Sequence, residues 1–262
     1  MKYQTKIIIN FFKYKSYFKN FDFNNFMNLD GKILRRKENR ETLFFQIKNK
    51  NFYMKRFFRL DLLSRIKLIF FGNITNYSIN NELFSYTTFE KIKISTPVLV
   101  GFGIKNKLLY DESFIISEEL AHHQQLDTFI KNNKPLFNKF KHLILNKLSD
   151  TLIKLHKNKI THSDFYLCHF FIDLNLIKLK QVKLVLIDYH RVKSHKSYVK
   201  NYFLKDISAI FFSMIESGFL YSDLKIMEEQ YCKEIKMETS DFKLIYSRSN
   251  KLLNKYNRKY IK

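Results

Sequence analysis

The stretch THSDFYLCHFFID, residues 161–173, holds His162, Asp164 and His169 among aromatic side chains. Buried polar groups need partners, so a run this rich in them is either a well-satisfied strand and loop or a working site. A carboxylate placed like Asp164 can take a proton from an attacking hydroxyl. A second carboxylate, Asp188, ends the apolar run LVLID and offers a hard oxygen to a divalent cation. Upstream stand Lys55, Glu82 and the acidic pair Glu118 and Glu119, followed by Leu120. Singly, each has an ordinary explanation as a solvated lysine or an exposed acid. Their order carries the information: a cation for an anionic group, an acid to hold it, then a proton acceptor and a metal ligand.

These residues must be positioned by distinct elements. Residues 40–58 alternate with period two and predict a hairpin turning at Asn49-Lys50-Asn51, with Lys55 on its second strand. NNELFSYTTFEKI spaces Leu83, Tyr86, Phe89 and Lys93 near a helical period and stops before Pro97. TPVLVGFG and SFIISEEL read as strands, with GFG at 101–103 taken as a turn between them. Long helical patterns follow at FKHLILNKLSDTLIKLHKNK and KDISAIFFSMIESGF. The fold class is therefore α+β with two lobes, a β-rich lobe over 1–119 and a helical lobe over 120–262.

At 262 residues, with 45% hydrophobic and 27% charged side chains, the chain is globular and can bury a core. The net charge of +23 has two readings. One is a phosphate-rich partner such as nucleic acid or anionic lipid. The other is lysine accumulating with Phe, Tyr, Ile and Asn through A/T-rich codons; the lysines are spread without a dense block. No nucleic-acid recognition motif accompanies the charge, so no nucleic-acid partner is expected. Cys168 and Cys232 make neither a disulfide framework nor a zinc pair, which fits a reducing cytosol, and both read as small buried hydrophobes. KIIINFFKYK is too short and too basic for a signal peptide, and ISAIFFSMI is about half a bilayer crossing.

A strand Lys, a helix Glu, an acid before the second lobe, an H-x-D loop and an Asp after an apolar strand form the protein-kinase series. THSDFYLCHFF, LVLIDYHR and KDISAIFFS closely resemble the lipopolysaccharide core heptose(I) kinase family, whose fold is protein-kinase-like. GKILRRKENRETLFF, FYMK, NELFSYTTFEKI, VGFG and FIISEEL extend the likeness in matching order, from about residue 10 to the C-terminus. The resemblance implies ATP and Mg2+ as cofactors, and Lys55 on the ATP phosphates paired with Glu82. It implies Glu118, Glu119 and Leu120 as a hinge meeting adenine chiefly through backbone groups. Asp164 would be the catalytic base with His162 as a second catalytic residue, Asp188 the main magnesium ligand with His169 as a further one, and Asp206 a brace beneath the loop. Arg191 would meet acidic groups on the glycan. The implied acceptor is inner-core lipopolysaccharide, met by a peripheral enzyme at the cytoplasmic face of the inner membrane.

Three departures stand out. A phosphate-covering loop uses several glycines, and only Gly31 remains; Arg35, Arg36 and Arg40 either supply charge instead or form a plain basic hairpin. His169 stands where protein kinases place an Asn metal ligand, although magnesium prefers oxygen. Ser163 replaces the usual Arg, and only 17 residues separate Asp188 from Asp206, so no switch by activation-loop phosphorylation is expected. The nearest rival within the class is a kinase for the Kdo sugar of the same core; outside enzymes it is a pseudokinase binding module.

Overall fold

A computed structural model describes residues 5–9, 11–37, 39–59, 79–107 and 110–260. The chain divides into two compact units. One takes residues up to Tyr86 together with Pro97–Leu120; the other takes Thr87–Thr96 and the chain from Ala121 onward.

The first unit is a six-stranded antiparallel sheet. Its strands are β1 (Thr5–Ile9), β2 (Lys32–Lys37), β3 (Arg40–Ile47), β4 (Lys50–Phe57), β5 (Leu99–Lys107) and β6 (Tyr110–Glu118). Their order is β1-β5-β6-β4-β3-β2. Two short helices, α1 (Phe11–Tyr14) and α2 (Phe23–Met27), precede β2, and α3 (Asn80–Lys91) precedes β5. One face of the sheet buries Tyr14, Phe18, Phe26, Phe52, Met54 and Phe114. The other packs Phe57 and Ile115 with Ile79, Leu83 and Tyr86. The abundant phenylalanines thus have a use here: Phe26 and Phe114 lie 4.4 Å apart and Phe45 stacks on Phe52 at 5.4 Å.

Successive side chains on a strand point to opposite faces, and β4 uses this to separate two cations. Arg56 turns toward α2, donating to the carbonyls of Met27 at 2.8 Å and Leu29 at 3.0 Å. It also pairs with buried Glu41, which receives Arg36 Nε at 2.9 Å. Burial alone would raise the Glu41 carboxyl, but the bonds from Arg36 and Arg56 outweigh it and hold it below the usual range. Lys55, one position earlier, faces the other way.

Two turn assignments are corrected. β3 and β4 pair Ile47 with Lys50, so the turn is Lys48-Asn49, with φ of 48° and 62°. Two consecutive positive-φ residues match the twist of flanking strands, so the loop is two residues long and not three. GFG lies inside β5 and not in a turn, because Gly103 stands opposite Phe114 of β6 and the ring lies over it. A Cβ at Gly103 would come within 2.3 Å of that ring. Gly103→Ala is expected to cost about 1–3 kcal/mol by overpacking, read as a lowered urea midpoint with an unchanged slope.

The second unit is helical. It contains β7 (His123–Gln125), α4 (Leu126–Asn132), α5 (Lys134–Lys157), β8 (Ile160–Thr161), β9 (Phe170–Asp173), α6 (Leu174–Lys178) and β10 (Leu184–Leu186). After these come β11 (Lys193–Ser194), α7 (Lys200–Ser217), α8 (Tyr221–Glu234) and α9 (Thr239–Tyr260). β9 lies between β10 and β7, and β8 pairs with β11. α7 is buried nearly all round, through Phe203, Leu204, Ile207, Ile210, Phe211 and Met214, and ends at Gly218 with φ 109°. Thr87–Thr96 is tied in by the Leu186 amide on the Ser95 carbonyl and by Phe89 against Tyr189. Among the described residues no helix is long and apolar enough to cross a membrane.

Candidate active site

In the first unit Lys55 Nζ lies 2.8 Å from Glu82 Oε1, on the face opposite Arg56. Glu82 is nearly buried at 5% side-chain exposure, while Lys55 keeps 24%. A buried acid thus aims an ammonium that is still partly open. Glu118 ends β6 and Glu119 follows it, and both amides are already used, on the Val98 carbonyl at 3.0 Å and the Asn51 carbonyl at 3.1 Å. Glu118 also pairs with Lys50 and accepts from Tyr14, with Lys13 at 3.3 Å. Burial would raise its carboxyl, but these partners hold it low. Glu119 accepts from Asn51 Nδ2 at 2.8 Å. Both acidic side chains therefore serve the sheet, and Leu120 is the last residue before the second unit.

Gly31 immediately precedes β2, at the end of that strand away from Lys37. A Cβ there would sit 2.6 Å from the Phe44 carbonyl oxygen, so the missing side chain serves strand contact and not a phosphate cradle. Arg36 is likewise committed to Glu41.

In the second unit the loop between β8 and β9 is built on Asp206 of α7. The Asp206 carboxylate is fully buried and accepts the His162 amide at 2.7 Å and the Ser163 amide at 2.8 Å. Those two bonds hold Ser163 at φ 66°, in the left-handed region that non-glycine residues avoid. The turn delivers the Asp164 side chain to the surface at 17% exposure, where Arg191 Nη1 donates to Oδ1 at 3.0 Å. Arg191 is thus brought to Asp164. The Asp164 carbonyl accepts from His169 Nδ1 at 2.7 Å. Past β10 the backbone turns at Asp188, with φ 64°, and His190 Nδ1 lies 2.8 Å from Asp188 Oδ1. Thr161 Oγ1 lies 2.8 Å from His195 Nε2, and β11 pairs with β8, so the segment after Asp188 is pinned directly behind the loop.

His162 needs correction as a catalytic residue. It is fully buried, and its Nε2 donates to the Ile187 carbonyl at 3.2 Å, leaving Nδ1 without a partner among the described residues. No substrate reaches a ring with no exposed surface, so His162 ties the loop to the strand before Asp188. Burial lowers its pKa to about 4 from an ordinary 6.5. The unfolded chain therefore binds a proton that the folded ring refuses. Stability is fully present above about pH 6.5 and falls toward pH 4, by on the order of 3 kcal/mol. His162→Leu is expected to flatten the pH slope of urea unfolding in that window. An unchanged slope would refute the assignment.

A cation site is judged by its donor set. A carbonyl only accepts, so His169 carries a proton on Nδ1, and in the neutral ring its Nε2 turns a lone pair toward Asp188 Oδ2, 3.7 Å away. Two electron-pair donors facing each other suit a cation between them, with the Asp164 carbonyl fixing the imidazole from behind. Among the described residues no group of three or more His, Cys, Asp or Glu could hold a metal. Magnesium commonly uses one or two carboxylates plus phosphate oxygens, so Asp188 fits it as a partial site, with His169 as a less suited second donor.

Comparison with known proteins decides the family. The pattern of the lipopolysaccharide kinase (Kdo/WaaP) family matches residues 24–231. The chain belongs to the lipopolysaccharide kinase (Kdo/WaaP) family. It is a phosphotransferase of the kinase type. The lipopolysaccharide core heptose(I) kinase WaaP of Escherichia coli K12 is 25% identical over 201 residues, covering 75% of this chain and 76% of that protein. The protein of that name from Pseudomonas aeruginosa PAO1 is 23% identical over 199 residues, covering 74% of each. A solved structure, WaaP in complex with acyl carrier protein, superposes with TM-score 0.76 at 20% identity over 94% of this chain and 99% of that one, and shows the fold.

Several residues of this family member escape a sequence reading. His156 Nδ1 lies 2.7 Å from Tyr231 Oη, its Nε2 is 3.5 Å from Asp206, and its ring stacks on Phe203 at 4.3 Å. His190 on Asp188 was equally silent, although its spacing of two was there to see. Burial pushes the Cys168 thiol up to about 11, which removes it as a nucleophile. Cys232 is exposed, against the expectation of burial, because it lies on the outer side of α8.

Proposed function

We propose that this kinase transfers the γ-phosphoryl group of ATP to a hydroxyl of an inner-core heptose of lipopolysaccharide. The arrangement that carries the reading is the Asp164 carboxylate, steered by Arg191, beside the facing pair His169 and Asp188. The acceptor is taken from the printed names of the relatives, which match most of their own length.

Asp164 accepts the proton of the attacking hydroxyl as the new O–P bond forms and the bond to the departing diphosphate breaks. Arg191 holds the carboxylate in place until an acceptor enters, and its exposed guanidinium can then meet acidic groups on the glycan. Lys55, aimed by Glu82, neutralises phosphate charge. Glu118, Glu119 and Leu120 would offer adenine their remaining backbone groups. Asp188 and His169 would hold magnesium, which when bound neutralises charge across the phosphates.

The test is phosphate transfer from Mg-ATP to inner-core lipopolysaccharide lacking core phosphate, beside an acceptor ending at Kdo. Labelling of the heptose-bearing acceptor alone supports the proposal. Labelling of the Kdo acceptor overturns it in favour of a Kdo kinase. No labelling of either, with no ATP binding, makes the chain a pseudokinase.

A further inference from the structure

We infer that the outward face of α9 is a docking surface for an anionic phospholipid bilayer. α9 buries Phe242, Ile245 and Ser249, and Ser249 Oγ donates to the Ser208 carbonyl of α7 at 3.0 Å. At roughly 100° per residue, Arg248, Lys251, Lys255, Arg258 and Lys259 fall within one arc of about 100°, with Lys251 and Arg258 opposite the buried face and the others on its flank, and all five are exposed. They span about 16 Å of helix. The helix's one acid, Asp241, is buried and pairs with Lys200 of α7 at 2.7 Å, so it offsets none of them.

Codon drift accounts for scattered lysines, but here five cations are concentrated along one helix. Some cations elsewhere in the unit meet acids, among them Lys131 with Glu216 at 2.5 Å and Lys141 with Asp223 at 2.9 Å. Among the described residues none of the five has an acid within ion-pair distance. Lys251 and Lys255, then Lys255 and Lys259, repeat at i,i+4, a spacing at which like charges disfavour the helix. The C-terminal dipole offsets this for Arg258 and Lys259 but falls off before Arg248 and Lys251. An external array of anions offsets all five.

A bilayer fits this array better than a compact polyanion. The charge is a straight stripe, it borders a shallow concavity at Lys251, Asn254 and Arg258, and exposed Leu244 lies in line with it. An apolar side chain beside basic ones is what enters a lipid headgroup layer. α9 packs on α7, and α7 carries Asp206 under the loop of Asp164, so adsorption through α9 keeps that loop close to a membrane-borne acceptor. This purpose rests on the proposed acceptor; the binding itself does not.

The test uses the full chain and vesicles with no glycolipid acceptor, so its failure leaves the transfer reading untouched. The chain should cosediment with phosphatidylglycerol-containing vesicles, not with pure phosphatidylcholine, and be released by salt. Lys251→Gln with Lys255→Gln and Arg258→Gln should weaken partitioning roughly 100-fold. Its melting temperature and its transfer to a water-soluble deacylated acceptor should stay unchanged. Wild-type partitioning in the variant, or equal binding to neutral vesicles, would overturn the proposal. Capture of soluble polyglutamate in preference to vesicles would overturn it in favour of an acidic protein. Should the variant lose its thermal transition, the salt and lipid comparisons on wild type decide alone.

Discussion

Asp164→Asn is expected to lower phosphoryl transfer by about 10²–10⁴-fold while leaving ATP affinity within a few-fold of wild type. The amide keeps the size of the carboxylate and can still accept from Arg191, so the loop built on Asp206 is retained. What disappears is the group able to take a proton from the acceptor hydroxyl. ATP affinity should persist because Lys55 and Glu82 belong to a different unit of the chain and are not altered. Single-turnover transfer, run beside equilibrium nucleotide binding, separates the two quantities. Transfer at the wild-type rate would remove Asp164 from the chemistry. Lost nucleotide binding would show that the substitution had disturbed more than the proton acceptor.

The parts of this site that are legible in the sequence are those carried by local periodicity. Lys55 stands out because β4 alternates, and alternation alone places Lys55 and Arg56 on opposite faces. Asp188 stands out because three buried apolar residues, Leu184 to Leu186, lead to it. Their partners were less visible. Glu82 is marked only by its place on a helix, since nothing local in the sequence points to Lys55. Pairings between distant positions leave no local trace: His156 finds Tyr231 across 75 positions, and Tyr14 finds Glu118 across 104.

Misreadings have a common cause. Residue type misleads at Gly31, Gly103 and His162, whereas their neighbours decide what they do. Both glycines make room for an opposing strand, at Phe44 and at Phe114. Arg36, for which two readings stood open, pairs with Glu41 directly across β2 and β3, as the plain hairpin reading has it. His162 looks like a catalytic imidazole in one dimension and is a buried tie in three. The loop also explains why two residues of the HSD run are backbone features. Its middle residue takes a left-handed turn, and only the third projects a working side chain.

Asp206→Ala is expected to cost about 3–5 kcal/mol of stability, since it leaves two fully buried amides, those of His162 and Ser163, without their acceptor. Each such orphan costs about 1–3 kcal/mol, more where the lost partner is charged. Asp206→Asn keeps one acceptor oxygen but presents an amine to the second N–H, so its cost should be roughly half. The Asn variant is the more informative one because it should still fold. Its transfer rate should fall further than its stability, with nucleotide affinity little changed, because Asp164 is aimed through Ser163 and not by direct contact with Asp206. Ser163 pays for its φ of 66° with the bond to Asp206. Glycine adopts that region without strain, so Ser163→Gly in the Asp206→Asn background should recover part of both stability and rate. The same Ser163→Gly change in the wild-type background should do little. Equal effects in both backgrounds, read as a double-mutant cycle in urea unfolding, would mean that Asp206 does not hold the strained turn.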